Sequence, residues 1–152
     1  MSKRREGRQT AVQLLFSREF LPEGATHDIE EFFHLHASEQ SIRAHVEELY
    51  HGVINRQTEI DGLLMPILEN YTLKRVADVD RCIIRVAIYE MFFCDTVPPI
   101  VIINEAIEIA KNLGAEESRS FVNGILDRLK KDLKRPLRNA TRAPRDRTTT
   151  KS

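Results

Sequence analysis

The chain has 152 residues, a length that fits one domain burying about 68–70% of its unfolded surface in a single core. Apolar residues make up 41% and charged residues 30%, which excludes a disordered polar chain and a chain built of membrane spans, and no apolar run approaches the roughly 20 residues a span needs. The 23 basic and 23 acidic residues cancel, but only in total.

Charge is segregated along the chain. Residues 1–8 hold four basic groups against one acidic (+3), residues 9–127 hold nine against twenty (−11), and residues 128–152 hold ten against two (+8). An acidic body with two basic ends fits a nucleic-acid surface combined with a second partner, or basic arms that fold back onto the body.

Apolar positions recur with a period near 3.6 almost throughout, so the chain reads as all-α. In the first segment Val12, Leu15, Phe16 and Phe20 share a face, and Pro22 with Gly24 ends it. Asp28, with Glu31 three residues on, suits the N-cap of a short helix carrying Ile29, Phe32, Phe33 and Leu35 and ending near Ala37. Ser38 or Ser41 then opens a longer helix with core stripe Ile42, Val46, Leu49 and Val53. Thr58 and Asp61 suggest a further capping box before Ile60, Leu63, Leu64, Ile67 and Leu68, with a kink or boundary at Pro66.

From Asp78 to Phe93 nearly every position is apolar except a narrow stripe at Arg81 and Arg85, the pattern of a buried central helix. Pro98 and Pro99 turn the chain into a helix from about Ile100 to Leu113, with Gly114 as its C′ residue. A last helix runs from near Glu117 to about Leu133, and Pro136 stops it. The expected architecture is a compact bundle of about seven helices, residues 1–135, followed by a disordered basic tail, residues 136–152.

No phosphate-binding glycine loop, nucleophile elbow or zinc-spaced Cys/His set is present, so neither catalysis nor a metal or cofactor is expected. His34 and His36 stand two apart and point to different sides of a helix, and His45 and His51 add no ligand spacing. Cys82 and Cys94 on one helix lie roughly 18 Å apart, beyond disulfide reach. With no apolar segment of signal-peptide type at the start, a reducing cytoplasm is the expected setting. Asp78 and Asp80 read locally as helix N-terminal caps, and so does the Asn104–Glu105 pair.

The first segment carries the functional signal. Arg4, Arg5 and Arg8 stand three and four apart, and Gln9 and Gln13 follow. That spacing suits arginine on phosphates, with amides and aromatic rings reading a single strand of RNA; it equally suits a solvated basic terminus.

Three segments together resemble the bacterial transcription antitermination factor NusB family: RREGRQTAVQLLFS at 4–17, VDRCIIRVAIYEM at 79–91, and VPPIVIINEAIEIAKNLGAEESRSFVNGILDRL at 97–129. The resemblance implies two helical subdomains without catalytic activity. It also implies binding of boxA RNA from ribosomal operons together with the ribosomal protein NusE, within an RNA polymerase antitermination complex. Residue by residue, it assigns RNA contact to Arg4, Arg5, Arg8, Gln13, Phe16, Lys111, Glu117 and Phe121, and a place facing NusE to Asp80. It leaves monomer and homodimer open. Glu6 and Gly7 interrupt the basic stretch where relatives continue with basic or alanine residues. The rival reading is a helical protein-binding scaffold without specific RNA binding.

Overall fold

A computed structural model describes residues 2–25, 28–35, 39–69 and 72–134, with side chains at 34 and 35 excluded. Ala37, Ser38, His36 and the expected tail from 136 lie outside the described residues. Among those described there are seven α-helices and no strand: α1 (Lys3–Arg18), α2 (Ile29–Leu35), α3 (Gln40–Asn55), α4 (Gln57–Leu68), α5 (Asp78–Phe93), α6 (Pro99–Leu113) and α7 (Ser118–Leu129). Short 3₁₀ turns stand at Leu73–Arg75 and Lys130–Asp132.

Helix α5 is the axis. It packs against α1, α3, α4, α6 and α7, which is why its apolar residues run nearly all the way round. Cys82, Ile83, Ile84, Val86, Ala87, Ile88 and Met91 are all buried, as are both arginines of its polar stripe. A buried guanidinium needs a partner for every donor it can supply. Arg85 donates from Nε and Nη2 to Asp61 of α4 at 2.9 and 3.0 Å. Arg81 donates to the carbonyls of Leu73 and Val76 at 3.2 and 2.9 Å and to the carboxylates of Glu19 and Asp78. The polar stripe thus locks neighbouring segments onto the axis.

The stripe Ile42, Val46, Leu49 and Val53 is buried as expected, and Asp28 caps α2 by accepting the Glu31 amide at 3.0 Å. Three local expectations change. Helix α4 starts at Gln57 without a side-chain cap, and Asp61 pairs with Arg85 instead. The helix continues through Pro66 for two residues before Glu69, at φ 52°, ends it, close to the boundary expected there. Gly114 is extended, not left-handed, at φ −91° and ψ −177°; a Cβ there would stand 2.5 Å from Ser118 Oγ, so close approach requires the glycine. Phe20 is 67% exposed, since α1 stops at Arg18 and the chain turns away before it can join the stripe.

Candidate nucleic-acid interface

Helix α1 begins with Ser2, whose Oγ accepts the Arg5 amide at 3.1 Å. This cap starts the helix early enough to include every basic residue of the N-terminal stretch. Their side chains then diverge. Arg8 lies on the stripe it shares with Val12 and Leu15 and turns inward: Nε and Nη2 donate to the two Glu90 oxygens at 2.7 and 3.0 Å, with both side chains 4% exposed. An arginine held this way cannot also present its fork to a phosphate, so the expected surface role does not fit its position. Arg5 reaches α6, where Nε and Nη2 each stand 2.8 Å from a Glu105 oxygen. Hydrogen bonding to that guanidinium holds the Glu105 carboxyl below its usual range. Lys3 pairs with Glu39 across 2.7 Å on the surface.

Arg4 is exposed and makes no ion pair among the described residues. It borders an open depression of about 220 Å³ with Lys3, Ser41, Ile42 and His45. His45 lies between this depression and the interior: a Cβ on Gly7 would come within 2.7 Å of its ring. Burial there pushes its imidazole below the ordinary value.

Further along α1, Gln9 accepts a hydrogen bond from Asn112 of α6 at 3.2 Å, Gln13 is exposed, and Phe16 is half-buried against the core. The Gln9–Asn112 bond sets the end of α6 beside the outer side of α1. Lys111 is exposed there and shares an open depression of about 220 Å³ with Gly114, Ala115, Glu116 and Arg119. Neither Lys111 nor Arg119 is ion-paired among the described residues. Arg119 escaped the sequence reading; its signal was a second basic group just past a helix connection already holding Lys111.

The remaining candidates do not gather at this edge. Glu117 is exposed on the α6–α7 connection, near enough to Asp80 to disfavour that residue's charge. Phe121 lines a separate groove with Ile67, Leu68, Glu69, Gly124, Ile125 and Arg128, between α4 and α7. Asp80 is 6% exposed. It accepts from Ser118, whose Oγ in turn accepts the Ala115 amide at 2.9 Å, while its Oδ1 is buried without a hydrogen-bond partner. Desolvation raises its pKa above the ordinary carboxylate value, with the Ser118 bond opposing. It sits inside the first turn of α5, not at its cap, and shapes the 114–118 connection from beneath.

Among the described residues no group of His, Cys, Asp and Glu could hold a metal ion, and no helix is long and apolar enough to cross a membrane. Neither Cys82 nor Cys94 is in a disulfide; burial pushes the Cys82 thiol up to about 12.

The class of protein is therefore a small all-α bundle wound on one apolar helix, with exposed Lys111 and Arg119 at the end of α6 beside α1. The NusB family model matches residues 5–131. The transcription antitermination protein NusB of Desulfosudis oleivorans is 43% identical over 137 residues, covering 88% of each chain. A solved structure of T. maritima NusB superposes with a TM-score of 0.74 at 33% identity, covering 96% of each chain. The same fold occurs in a crystal structure of the antitermination factors NusB and NusE in complex with dsRNA, with a TM-score of 0.73 at 21% identity over 86% of this chain and 98% of that one. The chain belongs to the NusB family.

Proposed function

We propose that the protein is a noncatalytic cytoplasmic adaptor that binds boxA-type single-stranded RNA together with NusE and carries it into the RNA polymerase antitermination complex. The observation that carries this reading is three exposed cations without an ion pair among the described residues, Arg4 at the start of α1 and Lys111 with Arg119 beside the α6–α7 connection, in a chain of the NusB family. The solved complex of a NusB with NusE and RNA supports it by analogy of fold. Arg4 and Lys111 meet phosphates, Gln13 offers an amide to base edges, and Phe16 gives a ring for stacking. Arg5 and Arg8 hold α1 in place by their ion pairs. Glu117 borders the Lys111 side and limits how closely a phosphate approaches. Phe121 serves the α4–α7 groove. Asp80 acts toward NusE as a positioning residue, through Ser118 and the connection above it.

Fluorescence anisotropy with boxA-like and scrambled RNA, with and without NusE, tests the reading. Tighter binding of the boxA-like strand in the presence of NusE is expected; equal affinity for both strands overturns it. Three phosphate contacts give a slope of log K against log salt of about −2, from roughly −0.7 per contact on a single strand. Light scattering on the free protein and on the mixture gives the stoichiometry, homodimer included.

One observation favours the scaffold reading: Lys3, Arg5 and Arg8 are all consumed by internal ion pairs. A scaffold would bind NusE equally well without RNA and bind RNA weakly and without sequence preference.

A further inference from the structure

Phe20 is the most exposed large apolar side chain among the described residues, at 67%. It is not a loose end. Its amide donates to Ser17 O at 3.1 Å, and its ring meets Phe16 edge to face with centroids 5.1 Å apart, while Phe16 is itself packed against the core. An anchored ring thus holds a second ring out into solvent. Gln9, Gln13 and Phe16 follow one side of α1 at helical spacing, and the Phe20 ring rests against Phe16 beyond the last turn.

Cations stand on a segment tied to the end of the same helix. Arg81 ties the 3₁₀ turn Leu73–Arg75 to the end of α1, donating to the carbonyls of Leu73 and Val76 and to the carboxylate of Glu19, the residue before Phe20. Glu19 and Lys74 line one open depression of about 210 Å³. Lys74 and Arg75 are both exposed, and neither makes an ion pair among the described residues. Glu19, the acid nearest to hand, is already engaged by Arg81. A presented ring, with a lysine and an arginine that make no ion pair among the described residues on the segment tied to its helix end, is a combination suited to single-stranded nucleic acid, the ring taking a base face and the cations its phosphates.

We infer that Phe20, with Lys74 and Arg75, forms a second RNA contact at the far end of α1, where one unstacked base of the bound strand lies on the Phe20 ring and the adjoining phosphate meets Lys74. This rests on the RNA-binding reading and extends it. The two ends of a 16-residue helix lie about 24 Å apart, so the strand follows the whole of α1 and is not confined to its basic N-terminus.

The test uses the full chain with NusE and a boxA-like RNA trimmed one nucleotide at a time from each end, read by anisotropy, and the same RNA carrying 2-aminopurine at successive positions, read by fluorescence. Phe20→Ala and Phe20→Leu should each weaken binding about fivefold, the weak end of base stacking on a ring, and Phe20→Trp should preserve it. Trimming one particular end should abolish the difference between wild type and Phe20→Ala, and 2-aminopurine at that end should lose its quenching in Phe20→Ala. Lys74→Ala should flatten the salt slope by about 0.7. Wild-type affinity in Phe20→Ala at every RNA length, with Arg4→Ala still weakened, overturns this inference and spares the RNA-binding reading. Wild-type affinity in both variants overturns the RNA-binding reading as well. A loss of NusE affinity without loss of RNA affinity in Phe20→Ala assigns the ring to a protein partner and overturns the inference.

Discussion

Arg4 and Arg8 share one face of α1, four residues apart, and meet opposite fates along it. Arg8 is enclosed, with its guanidinium spent on Glu90, while Arg4, one turn nearer the helix start, is exposed and makes no ion pair among the described residues. Neither charge counted along the sequence nor the side of the helix distinguishes the two; position along the packed face does. Where α1 lies against α5 a cation is compensated by a buried carboxylate and serves the fold. At the open start of the helix it stays available to an outside anion.

The largest expected break in that comparison is at Arg8. Arg8→Ala removes the two-pronged arginine bond from the buried Glu90 carboxylate, which should cost about 3–5 kcal/mol in denaturant unfolding. Arg8→Met with Glu90→Leu should recover most of that loss, because two apolar groups of similar size need no compensation. A single variant as stable as wild type would show that Arg8 is not the element holding α1 to α5.

Asp80→Asn should raise the thermal midpoint at neutral pH. The folded pKa of Asp80 lies above its unfolded value of 3.8, so its charge opposes folding at neutral pH, and the penalty vanishes as pH falls below that unfolded value. The advantage of asparagine should therefore fade toward pH 4. A gap between variant and wild type that does not change with pH would place the effect elsewhere.

Glu105→Gln sharpens the same contrast through Arg5, which belongs to neither extreme. The folded pKa of Glu105 is depressed by Arg5 from 4.5, so the pair stabilises the fold above that pH and the contribution is lost as pH falls through the folded value. Acid titrations of wild type should lose more stability below pH 4.5 than those of the variant. His45 adds a step at higher pH: its folded pKa lies below 6.5, so the stability that goes with its neutral form is present above 6.5 and declines as pH drops toward the folded value.

Arg4→Ala should be the smallest in stability and the clearest in binding. Its unfolding free energy should stay within about 0.5 kcal/mol of wild type, while its RNA salt slope flattens by about 0.7. Together with Arg8→Ala it separates the exposed start of one helix face from its packed middle by two independent measurements.

Helix α5 was legible almost to the residue, because a nearly all-round apolar run between Ala77 and the double proline admits little else. The buried stripe of α3 was legible for the same reason of period. Arg8 was misread although its signal was present: it stands four and seven residues before Val12 and Leu15, on their stripe. What the sequence could not show was Glu90, 82 positions away, whose carboxylate makes burial of that arginine tolerable. Asp61 was misread in the same way, as a local cap, when its partner Arg85 is 24 residues on. Long-range charge pairing overrode local chemistry in both cases. Phe20 went the other way, since a period carried two residues past the end of its helix no longer has a face to share.

Arg81 binds groups from three stretches of chain at once: Glu19 behind α1, the carbonyls of Leu73 and Val76, and Asp78 at the head of α5. Its release would free all of them together. The final turn of α1 and the 73–76 segment should therefore open as one cooperative unit, with their amide hydrogens exchanging at a shared rate in hydrogen-exchange measurements although more than fifty residues separate them in sequence.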